Sequence, residues 1–271
     1  DGILSIAPLP ETSSPQTLRD NSVAFKGVTF AYSGADRNAL DSITFSVEAG
    51  KTVALVGPSG GGKTTAAGLV ARFWDAHGGK VEIGGVNVKD IPKHRLNDII
   101  AYVFQDSRLL KTSIFENVRM GRPNATREEV MAALHNAQCD EIIAKFPSGA
   151  DTVIGTKGVY LSGGEQQRIA IARVMLKDAP IIVLDEATAF ADPENEVAVQ
   201  RAFEKLAQGK TVIMIAHRLT TVQGADCIYV LKNGRIAESG THAQLMERRG
   251  LYCSMYDEYR TSISWKVGGK A

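Results

Sequence analysis

Between the β-branched run Thr52-Val53-Ala54-Leu55-Val56 and the stretch Thr65-Ala66-Ala67-Gly68-Leu69-Val70-Ala71-Arg72 lies Gly57-Pro58-Ser59-Gly60-Gly61-Gly62-Lys63-Thr64. No other segment so narrows what the chain can fold into. The loop matches Gly-x4-Gly-Lys-Thr in full, and its flanks supply the strand and the helix that give such a match its meaning. Glycines let the backbone curl so that successive N–H groups point inward at phosphate oxygens. Lys63 is placed to reach the β- and γ-phosphates, and the Thr64 hydroxyl to sit on Mg2+. The loop predicts a nucleoside triphosphate site carried on a strand–loop–helix unit.

A second helix start lies about a hundred residues further on, at Leu161-Ser162-Gly163-Gly164-Glu165 followed by Gln166-Gln167-Arg168-Ile169-Ala170-Ile171-Ala172-Arg173. Ser162 is a good N-cap, and Glu165 three residues later completes a Ser-x-x-Glu capping box. With no Gly or Pro in the dozen residues after Glu165, the helix is expected to run to about Leu176. A helix N-terminus beside two glycines also offers bare N–H groups to an anion. One domain thus carries two phosphate-binding devices.

The remaining pattern is that of an α/β chain. Val23 to Tyr32, Ile43 to Val47, Val53 to Val56 and Lys80 to Ile83 read as strands, with turns at Gly34, Ala49-Gly50 and Gly84-Gly85. From about Ser107 to Lys177 the character is helical, and Thr126 caps a helix from Arg127. Ile181-Ile182-Val183-Leu184 and Thr211-Val212-Ile213-Met214-Ile215 are continuous apolar runs, suited to parallel strands buried on both faces. The helix between them opens on Asp192-Pro193-Glu194, an N-cap, a proline at N1 and an acid in the first turn. The first run ends in Asp185-Glu186, expected beside the strand that feeds the phosphate loop. Asp185 is placed to hold Mg2+ through water, and Glu186 to polarise an attacking water.

Composition narrows the functional classes. With 271 residues, 44% of them hydrophobic, the chain can bury a sizeable core. Its 31 Lys+Arg against 30 Asp+Glu leave no electrostatic footprint for nucleic acid. Cys139, Cys227 and Cys253 have neither metal-ligand nor redox spacing and read as reduced, packed thiols. No apolar run nears the ~20 residues of a membrane span, and no basic segment precedes an apolar one at the N-terminus. The sequence alone therefore predicts a soluble, cytosolic domain. Residues 1 to about 20, rich in Pro, Ser and Thr, read as a linker.

Taken in order, the phosphate loop, Gln105, Leu161 to Glu165, Asp185-Glu186, Asp192 and His217 resemble the ATP-binding cassette (ABC) ATPases, over roughly residues 20 to 258. The segments Phe25 to Tyr32, Thr112 to Val118, Ala216 to Val222 and Glu238 to His242 are similar to the exporter-type subgroup. In that subgroup the domain follows a membrane domain on one polypeptide. The resemblance implies a P-loop NTPase (RecA-like) core with a mostly parallel sheet, an N-terminal antiparallel β subdomain and a helical insertion at about 107–177. The cassette would then occupy 21–258, after a linker at 1–20 from a membrane domain absent from this chain and before a tail at 259–271. It further implies an ATP-hydrolysing domain at the cytoplasmic face of a cell membrane, bacterial inner or plasma membrane, working with ATP and Mg2+.

Roles follow position by position from the same resemblance. Tyr32 matches the aromatic that stacks on adenine, with a half-buried strand tyrosine as the alternative. Gly57, Pro58, Ser59, Gly60, Gly61, Gly62, Lys63, Thr64 and Thr65 match the phosphate cradle. Gln105 matches the glutamine that touches Mg2+, with Thr64 and Asp185, and senses the membrane domain. His217 matches the histidine that contacts the γ-phosphate and aligns Glu186 and the water. Leu161, Ser162, Gly163, Gly164 and Glu165 match the signature that binds the ATP held by a second ABC domain. Two such domains would pair head to tail, as homo- or heterodimer, with Asp192 in the loop that bridges them.

Three positions depart from the family pattern. Gly155-Thr156-Lys157-Gly158 lacks the acid that usually serves cross-talk with the membrane domain. Phe190 stands in the loop before Asp192, leaving a repacked interface or a particular partner as alternatives. Glu165 replaces the commoner glutamine. Other function classes fit less well: a soluble ABC ATPase of translation or DNA repair would show twin cassettes or a coiled-coil insertion, and a non-hydrolysing module would lose Glu186 or His217. An exporter-shaped importer, of siderophores for example, stays open.

Overall fold

The computed structural model describes residue 9 and residues 16–104, 108–155, 160–185, 193–216 and 218–268, the side chains of 193, 194 and 262–268 excepted. The chain divides into two compact units, Asp1–Ala49 with Leu55–Ile99 and Cys227–Ala271, and Gly50–Ala54 with Ile100–Asp226. In chain order the strands are β1 Val23–Phe30, β2 Leu40–Val47, β3 Thr52–Val56, β4 Gly78–Ile83, β5 Val86–Asn87, β6 Ile100–Val103, β7 Ile181–Asp185, β8 Thr211–Ile215, β9 Cys227–Lys232 and β10 Arg235–Gly240. The helices are α1 Lys63–Val70, α2 Lys93–Ile99, α3 Ile114–Arg119, α4 Arg127–Asn136, α5 Asp140–Ala144, α6 Gly163–Lys177, α7 Pro193–Ala207, α8 His242–Arg248 and α9 Leu251–Gly268. None of the helices described is long and apolar enough to cross a membrane.

The first unit holds an antiparallel sheet in the order β2-β1-β4-β5. Val23 and Phe25, then Val28 and Phe30, point inward along β1, and a register shift between Phe25 and Val28 resets the two-residue alternation of a half-buried strand. Register follows: Phe25 faces Phe45 on β2 and Val81 on β4, and the two phenyl rings stack with centroids 4.3 Å apart. β9 and β10 form a hairpin whose connection, Asn233-Gly234, has positive φ at both residues (52° and 74°). Asn-Gly is the pair that a tight turn of this hand demands. α9 carries the chain as helix to Gly268, and the Glu238 carboxylate caps its start by accepting the Leu251 and Tyr252 N–H groups.

One buried carboxylate in this sheet ties fold stability to pH. Glu82 has a side chain 5% exposed, and Lys26 and Lys80 each reach it at 2.6 Å. Burial pushes its carboxyl up, but the two ammonium partners outweigh burial and hold it below the usual carboxylate range. A carboxyl depressed in the folded state stabilises that state above its unfolded pKa and loses the contribution as pH falls through the folded one. We expect Glu82→Gln to be less stable than the parent by about 1–2 kcal/mol at neutral pH, the gap closing as pH falls through the lowered range of the folded carboxyl. Urea midpoints across pH measure it; a gap that stays constant with pH would refute the charge assignment.

In the second unit the order is β3-β8-β7-β6, with the β6–β7 and β7–β8 pairs parallel. The predicted apolar runs are these strands, and all five residues of β7 are buried. One expectation is corrected. β7 does not lie beside β3, because β8 pairs with β7 from Thr211↔Ile181 to Ile215↔Asp185 and takes the place between them. Val212 N–H donates to Lys51 O at 2.9 Å, at the foot of β3.

Helices α3 to α6 fill the chain between β6 and β7, as the helical middle predicts. Their core gathers Ile114, Val118, Val130, Leu134, Ile142, Ile169, Ile171 and Leu176, all buried. Each large aliphatic side chain so buried contributes about 1.5–3 kcal/mol. Cys139 belongs to this core, and burial pushes its thiol up to about 12, so it packs as an inert apolar group.

Candidate functional site

The phosphate loop hangs on β3, whose last four residues are buried, and turns into α1. Gly57, Gly60 and Gly62 have φ of 136°, 73° and 101°, so three of its glycines are needed for backbone direction. Two are also needed for space. A Cβ on Gly57 would stand 2.0 Å from the Leu231 carbonyl oxygen, and one on Gly62 would stand 2.6 Å from Ala39 O and from Leu40 Cδ2. α1 starts from Gly62 with no side-chain cap and no acid in its first turn. Its leading N–H groups and dipole therefore favour an anion. Lys63, 6% exposed, donates from Nζ to Gly57 O at 2.8 Å and to Pro58 O at 3.0 Å, which holds the ammonium over the loop. Pro58, Ser59, Gly60 and Thr64 are exposed, Thr65 buried.

Tyr32 follows β1 and stands over this loop's helix. Its hydroxyl shares a 2.9 Å hydrogen bond with the Thr65 hydroxyl. Phe30 and Trp74 hold its ring edge-on, with centroids 5.0 and 5.3 Å away. The residue is nonetheless 41% exposed, so part of the side chain stays open to solvent.

The second helix start is built as its sequence predicts. Ser162 Oγ accepts the Glu165 N–H at 3.3 Å, and Glu165 Oε2 accepts the Ser162 N–H at 2.7 Å, the reciprocal pair of a capping box. Ser162 itself is exposed. Gly164 abuts Asn195, where a Cβ would come within 2.9 Å of the Asn195 Cβ, so α7 packs directly on this turn. Arg168, 1% exposed, donates to Gln138 O at 2.6 Å, to Glu141 at 2.7 Å and to Asn195 Oδ1 at 2.8 Å, tying α6 to the α4–α5 connection, to α5 and to the start of α7. Burial pushes the Glu165 carboxyl up, while the Lys145 ammonium and the Ser162 hydrogen bonds carry it, net, below the usual range.

Asp185 ends β7 with 6% exposure. The structure gathers Tyr32 and Gly57 to Thr65 in the first unit, and Leu161 to Glu165 and Asp185 in the second. Gln105, Glu186, Asp192 and His217 lie outside the described residues, as do Thr156 and Phe190. Taken separately, the Thr64 hydroxyl of the first unit, on an exposed residue, and the Asp185 carboxylate of the second are each a hard oxygen of the kind Mg2+ takes.

The family model described as ABC transporter matches residues 40–189. The chain belongs to the ABC transporter family. Among its relatives, an ATP-dependent lipid A-core flippase of Haemophilus influenzae (strain 86-028NP) is 47% identical over 233 residues, 86% of this chain and 40% of the flippase. The mitochondrial potassium channel ATP-binding subunit of Xenopus tropicalis is 46% identical over 235 residues, 86% of this chain and 34% of that protein. A solved bacterial Atm1-family ABC exporter with ATP bound superposes with a TM-score of 0.87 at 40% identity, covering 94% of this chain and 45% of the exporter. This ABC chain thus spans about 40% of the length of such curated relatives.

Several residues at these two places carry no motif. Lys145 pairs with Glu165 across twenty residues of sequence, and Trp74 supports the Tyr32 ring. Leu231 walls the phosphate loop through its backbone, a role no side chain could signal. Trp74 alone leaves a trace in the sequence, as an aromatic following Phe73 just beyond the loop's helix.

Proposed function

We propose that this chain is the ATP-binding and hydrolysing domain of an exporter-type ABC transporter, whose membrane domain precedes it on the polypeptide. The glycine loop with Lys63 carries this reading, since its close-packed glycines and uncapped helix start suit a polyphosphate and little else. Adenine stacks on Tyr32, and the triphosphate lies along Gly57 to Thr65. Lys63 exchanges its carbonyl contacts for the β- and γ-phosphates. Thr64, Gln105 and Asp185 hold Mg2+, which when bound neutralises charge on the phosphate oxygens. Glu186 takes the proton of the attacking water, and His217 contacts the γ-phosphate.

The α6 start is idle in a single copy. Ser162, Gly163 and Gly164 offer their hydroxyl and N–H groups to the terminal phosphate of ATP held by a second, head-to-tail cassette, with Asp192 at the shared surface. Leu110, Val153 and Tyr160 are 55%, 46% and 83% exposed, apolar surface consistent with docking a membrane domain. ATP favours the closed pair and ADP does not, so binding and hydrolysis alternate two states of the attached membrane domains. The length of the relatives supports this fused arrangement.

Ser162→Ala tests the trans role. It should weaken ATP-dependent association by about tenfold or more while monomer affinity for ATP stays within about twofold. Light scattering and nucleotide titration read the two quantities. The reverse pattern, weaker monomer binding with normal association, would reject it.

A further inference from the structure

The first turn of α6 carries two conflicting demands. On the proposed trans reading it receives a terminal phosphate, yet it also holds a carboxylate, Glu165, whose side chain is 8% exposed and whose Oε2 lies 2.7 Å from the Ser162 nitrogen. An acid at this position suits the helix dipole. It also sets a negative charge beside the very group that must meet an anion, in a site partly withdrawn from water, where like charges repel strongly.

Lys145, the C-cap residue of α5, forms an ion pair with the other carboxylate oxygen, Oε1. Among the described residues it is the only cation paired with Glu165. The neighbouring groups have partners of their own, Arg168 with Glu141 at 2.7 Å and His135 with Asp140 at 2.6 Å, although Asp140, Glu141 and Arg168 line one cavity with Lys145.

We propose that Lys145 is a positioning residue that neutralises Glu165, so that an acidic helix start can receive the phosphate of ATP held by a second copy. The proposal rests on the trans reading of Ser162 and adds to it the C-cap residue of α5, acting through Glu165. It also states why a glutamate can stand where the family more often has glutamine. The capping geometry is kept, and the charge is cancelled from twenty residues upstream.

The test uses Lys145→Met, which keeps an apolar stem and removes the charge, alone and combined with Glu165→Gln. ATP hydrolysis is measured against ATP and chain concentration, with melting temperatures alongside. Lys145→Met should raise the KM for ATP about five- to tenfold with kcat within about twofold, and high salt should narrow the gap. Adding Glu165→Gln should recover most of that loss, since no charge is left to cancel. A lower melting temperature and kcat with KM unmoved would overturn the proposal in favour of a merely structural ion pair. Failure of Glu165→Gln to rescue would overturn it as well. Ser162→Ala separates the two layers: if it leaves association intact, the trans reading falls, whereas if it impairs association while Lys145→Met does not, only the role of Lys145 falls.

Discussion

Glu186→Gln is expected to cut ATP turnover by about 10²–10⁴-fold while leaving ATP binding intact. The substitution exchanges a carboxylate for a carboxamide of nearly the same shape, so packing and hydrogen-bond reach are kept. What is lost is the ability to accept a proton from water, and with it the driving force of the attack. Asp185, one residue earlier, retains the charge assigned to Mg2+. In the proposed roles the two adjacent acids make a sharp internal contrast, one electrostatic and one basic. In the proposed cycle closure depends on ATP and reopening on its hydrolysis, so the variant should accumulate as an ATP-loaded dimer. Phosphate release and light scattering measure the two effects together. Hydrolysis at the parental rate would remove Glu186 from the role of base. Loss of turnover without dimer accumulation would instead break the link between hydrolysis and reopening.

The elements legible in the sequence are those fixed by local chemistry. The alternation along β1, the apolar runs of β7 and β8 and the capping box of α6 each depend on residues a few positions apart. α6 was expected to reach about Leu176 and ends at Lys177, because a helix without Gly or Pro stops only where its cap does. Strand order was not legible. Nothing in the period of β7 says that β8 intervenes before β3, since order in a parallel sheet is set by crossover connections between distant segments. The same holds around the candidate site. Thr64 and Asp185 announce their chemistry by motif, whereas Lys145 announces nothing, because an ion pair between the end of one helix and the start of another leaves no periodic mark. The wall at Leu231 is more hidden still, being a backbone carbonyl supplied by β9 from far along the chain.

That wall makes the second large effect predictable. Gly57→Ala should unfold more easily by at least about 3 kcal/mol and bind ATP at least about a hundredfold more weakly. Two costs combine in it. At φ 136° a side chain is strained whatever its surroundings, and its Cβ would stand 2.0 Å from Leu231 O, far inside contact distance. Relief requires the loop or β9 to move. Moving the loop turns the N–H groups away from the phosphates. Because the obstacle is main chain, no substitution of the Leu231 side chain should rescue the variant. Gly60→Ala is the control. Gly60 also has a positive φ, 73°, but nothing lies within 4 Å of its would-be Cβ. It should therefore cost only about 1–2 kcal/mol, the ordinary strain of a left-handed residue. Denaturant midpoints and nucleotide titrations of the two variants separate strain from collision. Equal losses in both would mean that backbone conformation alone governs the loop, and parental stability in Gly57→Ala would rule out the close approach of β9.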